Sequence, residues 1–487
     1  MDKLKGLKPE KVFKFFEYIS SVPRGSGNTD KVSELCIQFA KERGLTAIKD
    51  KQNNVVIYKP ATPGYENAPA VVLQGHLDMV CAKNSLCTKD MAVEPVELEQ
   101  DGTYVYAKDT TLGGDDGIGV AYALAVLDSD DLEHPAIEAV FTIDEETGML
   151  GAREIDPQLI TGRRLINIDS EEEGVFTCGC AGGCIVNGTI PVERDGYVGN
   201  EDAFFRITLS GLKGGHSGAD IANQPASANH LLGRVLFEMY TSFPYLLVKL
   251  EGGKFDNVIS PKAEAIIVVP KDFIPRVISF IDKYADILKN EYHYSNPGIH
   301  LQLVAVPRDQ IRDIPIDSNS TKKVLKTLYL SFQGVVEMNM ELKGMVQTSQ
   351  NLGTIELKND VFELGFLIRS ASEPQKETTV NRCETLIELA GGKTTRSGDY
   401  PGWNYLSDSP LRNQCVKVYE ELYGNKPIVN TIHAGLECGL FVNKLEGLDA
   451  ISMGPNIPGI HTPEEKLEIA SVGRVWEFLK ALLKSMK

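Results

Sequence analysis

Nowhere does this chain carry an apolar run of the ~18 residues that a membrane-spanning helix needs. Its opening segment, MDKLKGLKPEKVFKFFEYISSV, also lacks the uninterrupted apolar stretch of a secretion signal. That segment reads instead as an amphipathic helix with Val12, Phe13, Phe16 and Ile19 on one face. Positive charge is short as well: 50 Lys and Arg stand against 67 Asp and Glu, a net charge of −17. A balance of that sign excludes nucleic acid and anionic membrane surfaces as expected partners. Cysteines are few for the length, nine in 487 residues, scattered and odd in number. This excludes a disulfide framework and suits reduced thiols in a cytoplasmic protein acting on small substrates. There is also no low-complexity linker and no short-period repeat.

What is present, over the first ~170 residues, is an alternation of short apolar runs with helical patterns, the signature of an α/β layer with a mixed, mostly parallel sheet and helices on both faces. The runs at 53–59, 70–75, 137–143 and 164–168 read as strands, and 117–128 as a helix rich in small apolar residues. A further strand at 449–455 and a terminal helix over 463–486 return the chain to the same layer. Between them the pattern changes to period-two strands (203–211, 335–344, 361–370) and helices near 223–241, 272–290 and 375–391. That is the pattern of an antiparallel sheet covered by helices. The expected organisation is a catalytic domain in two parts, 1–190 and 397–487, interrupted by an α+β lid domain at 191–396.

Five polar residues recur just past strand ends or at a helix mouth: His76 in GHLDMV, Asp115 in TLGGDDGIG, Glu146 in DEETG, Asp169 in NIDSEEEG and His461 in GPNIPGIHTPEE. The carboxyl ends of strands are where open α/β sheets place their ligands. Imidazole and carboxylate together suit borderline divalent cations, and five donors exceed what one tetrahedral zinc requires. Two metal ions sharing a ligand are therefore expected, zinc first, with cobalt or manganese able to substitute. Glu145, beside Glu146, can stay off the metals and act as the base that a two-metal hydrolase needs. In GGDDG, spacing alone leaves Asp115 and Asp116 equally able to bridge.

HLD, GGDDG, DEE followed by TG, IDSEE, GGHSG and GIHTPEE together resemble the M20 family of dinuclear zinc peptidases, almost from end to end of the chain. Within that family the chain is most similar to the aminoacyl-histidine dipeptidase branch, also called Xaa-His or cytosol non-specific dipeptidases. The resemblance implies hydrolysis of unblocked dipeptides. It makes His76 and Asp169 the remaining ligands of the first metal, Asp115 the bridge, and Glu146 and His461 the ligands of the second. It implies a cis peptide after Asp115, an orienting role toward His76 for Asp78, and the general base for Glu145. It assigns His216, in GGHSG, to the oxyanion of the tetrahedral intermediate, from its own or a partner subunit, and makes a homodimer through the lid a candidate assembly.

For substrate grip, Arg369 suits a terminal carboxylate, since a guanidinium fork pairs bidentately with one. Asn257 and His433 are further candidates for polar contacts. N-acyl amino acid deacylation, carboxypeptidase action and a non-catalytic metal-dependent peptide binder are the rival functions. His134, His230, His293 and His300 read as surface or helix residues. CGCAGGC reads as buried thiols at a tight turn, the run Glu171–Glu173 as a solvated face, and 291–298 as a helix end.

Overall fold

The computed structural model describes residues 3–487. The chain forms two compact units, one from residues up to Cys180 with Trp403–Thr431 and Leu436–Lys487, the other from Ala181–Gly402 with Ile432–Gly435. The divisions expected at 190 and 396 fall instead at 180/181 and 402/403. The reason is that strand Gly182–Pro191 pairs with both Val361–Ser370 and Lys393–Tyr400, which places all three in the second unit's sheet.

The first unit is built on an eight-stranded sheet in the order 46–49, 55–59, 137–142, 71–76, 164–167, 449–452, 175–180, 428–432. Its central four strands run parallel. Outside them, 55–59 and 175–180 pair antiparallel. Strands Val71–His76 and Ile137–Thr142 are buried at every position. Helices cover both faces of such a sheet, so a continuous apolar run replaces the half-buried alternation. Helix Gly114–Leu127 is likewise buried on all sides, which is why its sequence shows no polar stripe. Helix Glu10–Ile19 buries Val12, Phe13, Phe15, Phe16 and Ile19 in the same core. Late segments close that core through Phe176, Tyr419 and Phe478: the Phe478 ring lies 5.3 Å from Phe176 and 5.7 Å from Tyr419.

The second unit carries an antiparallel sheet in the order 300–306, 203–210, 263–269, 246–252, 346–358, 361–370, 182–191, 393–400, with 334–338 paired to 346–358. Helices Ala228–Ser242, Ile274–Tyr292, Ser318–Leu330 and Glu373–Leu389 bury their apolar faces with the sheet in one cluster, through Leu232, Ile281, Leu328 and Ile387 among others.

Several sequence expectations need correction. The strand expected over 335–344 stops at Met338, because the Asn339 side chain accepts the N–H groups of Glu341 and Leu342 at 2.8 Å each and turns the chain. The terminal helix begins at Ile469 rather than 463, since Lys466–Glu468 is taken up as a strand against Tyr104–Ala107. His134 is neither a surface nor a helix residue. It is fully buried in a loop, its Nδ1 2.7 Å from the Pro135 carbonyl. The glycines of CGCAGGC lie on strands 175–180 and 182–191, not in a tight turn, although all three thiols are buried.

Truncating Phe478 to Ala removes the ring that bridges Phe176 and Tyr419, leaving a cavity too enclosed to collapse. We expect a loss of about 3–5 kcal/mol, read as a lower urea midpoint at unchanged slope; an unchanged midpoint would show that the late helix contributes little to the core.

Candidate functional site

Strand Val71–His76 ends in His76, whose ring is almost fully buried with Nε2 3.0 Å from Asp115 Oδ1 and 3.5 Å from Asp169 Oδ1. Asp115 stands at the irregular first turn of helix 114–127 and is followed by a cis peptide to Asp116. Its second oxygen lies 3.2 Å from Nε2 of His461, which in turn lies 3.0 Å from Glu146 Oε2. All five donors read from the sequence therefore converge, in overlapping groups whose ligand atoms lie within 4.8 Å of one another. Asp115 reaches both imidazoles, one with each oxygen. Asp116 also belongs to one group, but its oxygens accept the backbone N–H groups of His76 and Gly119 at 3.1 Å each, so its carboxylate braces the loop.

Asp78 ties two parts of this site together. Its Oδ1 lies 3.4 Å from His76 Nδ1 and accepts the Glu145 N–H at 3.0 Å; its Oδ2 accepts the Glu146 N–H at 3.3 Å and the Ser26 hydroxyl at 2.8 Å. One fully buried carboxylate thus holds an imidazole ring and the turn that carries the adjacent glutamates.

Sequence reasoning missed three residues that frame the cluster. Buried Arg24 donates to the carbonyls of Leu77 and Asp78 at 2.9 Å each and to that of Gly113, joining the two loops that carry His76 and Asp115. Glu465 accepts the N–H groups of Leu112, Gly113 and Gly114 at 2.8, 3.0 and 2.7 Å. Glu437 is fully buried and accepts from Gln74 and Thr142 at 2.6 Å each. Glu437 lies four residues after His433 and Glu465 inside the motif GIHTPEE, where neither spacing nor residue type set them apart. Arg24 carries no local signal at all.

Burial and mutual repulsion dominate the electrostatics. Burial, against the pull of His76 and with a smaller push from like charges, raises the Asp169 carboxyl to about 6 and that of Glu437 to about 7, and holds Glu145 and Asp116 well above the usual range. Asp115 is held low, since its bonds to His461 and His76 outweigh burial. Glu146 keeps a buried Oε1 without a hydrogen-bond partner. An orphaned carboxylate oxygen among imidazoles and crowded carboxylates is a donor set that divalent cations fit.

The second unit gathers a separate polar cluster. His216 Nδ1 accepts the N–H groups of Gly218 and Ala219 at 3.2 and 3.1 Å, which requires a lone pair there and puts the ring proton on Nε2. Burial, then the Arg369 charge, lowers its pKa, so the ring is a neutral N–H donor. His433 rests on the Ser349 hydroxyl at 2.7 Å and is pushed down to about 3 by burial and by Arg369. Arg369, almost fully buried, donates from Nη1 to the Tyr400 hydroxyl at 3.1 Å and lies 3.4 Å from Ser217 Oγ. Asn257 has an exposed side chain, and only its carbonyl is engaged, by the Ser217 N–H at 2.9 Å.

The other polar motifs resolve simply. Glu171 and Glu172 are exposed, and Glu173 receives a two-pronged contact from Arg474 at 2.6 and 2.5 Å.

Comparison with known proteins gives a consistent result. The model of "Peptidase family M20/M25/M40" matches residues 72–485. The "Cytosol non-specific dipeptidase" of Escherichia coli (strain K12) is 37% identical over 486 residues, covering 100% of this chain and 99% of that protein. The crystal structure of aminoacylhistidine dipeptidase from Vibrio alginolyticus superposes with a TM-score of 0.94 at 36% identity, covering 99% of this chain and 98% of that one. An aminopeptidase from Bacillus cereus, 14% identical with a TM-score of 0.58 over 99% of both chains, shares the fold alone.

In the ion-free protein, bonds to Asp115 and Glu146 hold His461 up at about 10. At His76, burial pushes down, but the carboxylates of Asp169, Asp115 and Asp78 outweigh it and hold the ring well above its ordinary value. A divalent ion takes only the neutral ring, so an ion pair held by both imidazoles would expel both protons and its apparent affinity would rise with pH through the neutral range. Zinc calorimetry near pH ~7.5 in buffers of different ionisation enthalpy should register release of roughly two protons per chain. Binding without proton release would show that the rings are already neutral.

Proposed function

The chain belongs to peptidase family M20/M25/M40, and on that footing we propose that it hydrolyses the peptide bond of unblocked dipeptides, Xaa-His among them, with two zinc ions held by His76, Asp115, Glu146, Asp169 and His461. In this reading Asp115 serves both ions, Asp169 completes the site at His76, and Glu146 completes that at His461. Cobalt or manganese can substitute, because the donors are imidazole and carboxylate. The observation that carries the reading is Asp115 facing an imidazole with each oxygen, beside a glutamate, Glu145, whose side chain makes no ion pair among the described residues. The substrate class rests on relatedness over the whole chain to a protein named as a dipeptidase. Among the described residues no helix is long and apolar enough to cross a membrane. The relatedness to a protein named as a cytosol dipeptidase supports a cytoplasmic location.

Bound ions supply Lewis acidity toward water and the scissile carbonyl. The proton transfers fall to Glu145: its carboxylate takes a proton from the attacking water and, as the acid, delivers it to the leaving amine nitrogen. Burial suits it to the first task, since a carboxyl whose pKa is raised is a stronger base. Asp78 fixes the backbone of that turn and the His76 ring together. His216, as a neutral N–H donor, is suited to a developing oxyanion. Arg369 takes the terminal carboxylate, which confines cleavage to substrates ending one residue beyond the bond.

The test is turnover of β-Ala-His, Gly-His, Ala-Ala, a tripeptide and an N-acetyl amino acid by zinc-loaded protein. Cleavage should be confined to the three unblocked dipeptides. Glu145→Gln should lower kcat by about 10²–10⁴-fold while two zinc ions per chain remain by elemental analysis. Because the base must be deprotonated, kcat/KM of the native enzyme should climb from acid toward neutral pH. Hydrolysis of only the acetylated compound or the tripeptide would move the chain to the deacylase or carboxypeptidase reading; zinc binding with no turnover would make it a peptide binder.

A further inference from the structure

The second unit aligns four residues side by side across neighbouring strands: Ser349 opposes Arg369, Arg369 opposes Gly183, and Gly183 opposes Tyr400. The last pairing depends on an irregularity. Strand Lys393–Tyr400 stays in register with strand 182–191 as far as Ser397↔Ile185, then shifts, with Gly398 at φ +57°, before Tyr400 meets Gly183. A bulge of this kind re-aims the side chain that follows it.

Tyr400 then lies over the α-carbon of Gly183. A Cβ on Gly183 would stand 2.6 Å from two ring carbons of Tyr400 and 2.7 Å from its hydroxyl, closer than any real contact. The missing side chain lets the phenol cross the strand and receive Arg369 Nη1 at 3.1 Å. The backbone beneath is anchored independently: Lys376, buried on helix 373–389, donates to the Tyr400 carbonyl at 2.7 Å and to Asp399 at 2.8 Å. A guanidinium on a long side chain has many rotamers, and a fork that must meet a planar carboxylate gains from being held before the ligand arrives.

We propose that Tyr400 is a positioning residue for the reaction, holding the Arg369 guanidinium in the orientation that receives the substrate's terminal carboxylate, with Gly183 as the gap that admits it. This rests on the reading of Arg369 as the carboxylate clamp. Tyr400 need not touch substrate. Its hydroxyl takes Nη1 and Ser217 Oγ lies 3.4 Å from Nε, which leaves Nη2 and the second Nη1 N–H for the ligand.

The experiment is steady-state kinetics on Gly-His with the zinc-loaded full chain, comparing Tyr400→Phe, Gly183→Ala, Arg369→Met and the Tyr400→Phe/Arg369→Met double variant. Tyr400→Phe should raise KM about tenfold, the scale of one charge-assisted hydrogen bond, and change kcat less than about twofold. Gly183→Ala should reproduce that split by displacing the ring without removing the hydroxyl. In the Arg369→Met background, Tyr400→Phe should add nothing further, as residues acting through one contact are non-additive. A structural role would instead lower kcat or the folded fraction in both backgrounds, and that result overturns the proposal. Should Tyr400→Phe fold poorly, Gly183→Ala decides by the same criterion. If Arg369→Met raises KM strongly while neither other single variant does, Tyr400 has no positioning role and the clamp reading stands. If Arg369→Met leaves KM unchanged, the clamp reading itself fails.

Discussion

Negative charge packed into a buried space is the constraint around which the first unit is arranged. Asp115, Asp116, Glu145, Glu146, Asp169 and Glu437 crowd around two imidazoles, His76 and His461, with the Arg24 guanidinium beside Asp115 and Asp116, and the largest influence on most of these acids is lost solvation. Such a cluster is tolerated only if hydrogen bonds or cations answer it. The surrounding structure answers part of it. Asp116 takes backbone N–H groups, Asp78 takes a hydroxyl and two N–H groups, and Glu437 takes an amide and a hydroxyl. The part left unanswered includes Oε1 of Glu146, whose other oxygen, Oε2, meets His461. Parallel strands make this arrangement possible, since they deliver His76, Glu146 and Asp169 from neighbouring strand ends at one edge of the sheet.

The second unit solves the opposite problem. Its polar cluster holds the Arg369 guanidinium beside two imidazoles whose pKa values are pushed down by burial and then by that guanidinium. With the rings neutral, the guanidinium is the member of the cluster suited to an anionic ligand. The neutrality of His216 also has a visible mechanical cause, because two backbone N–H groups occupy Nδ1 and would repel a proton there. The turn that presents the ring is held by its backbone, with the His216 N–H on Asp220 and the Ser217 N–H on the Asn257 carbonyl.

Much of this was legible in the sequence because ligand residues at strand ends sit in short motifs with glycine and acidic company. His76, Asp115, Glu146, Asp169 and His461 could be picked out before their convergence was known, since imidazole and carboxylate suit borderline divalent cations and these residues follow strands or open a helix. The choice between Asp115 and Asp116 was legible only through the family resemblance, since spacing alone left it open. It depends on which carboxylate is consumed by backbone N–H groups, a property of the folded loop. Arg24 and Glu465 were invisible for a similar reason: each serves a loop far away in the chain, and neither residue type nor spacing encodes that partner. Element ends failed where a side chain overruled the periodic pattern, as Asn339 does in ending a strand early. Register-dependent features, such as the pairing of Gly183 with Tyr400, follow from a one-sided shift that a one-dimensional pattern does not record.

The crowding also explains how two adjacent glutamates can do different work. Glu145 and Glu146 leave the same turn, with both N–H groups held on Asp78, so neither backbone position nor chemistry distinguishes them. Their surroundings do. Glu146 meets the His461 imidazole at 3.0 Å, a contact that commits one of its oxygens. Glu145 meets burial and, against the pull of His76, like charge from Asp169, Glu437 and Glu146, which together favour protonation. One carboxylate is therefore committed to an imidazole, and its neighbour is prepared to accept a proton and return it. Cations entering the site would lower the affinity of Glu145 for its proton, offsetting part of that crowding. A base whose proton affinity is raised by burial and trimmed by bound charge is suited to reversible proton transfer.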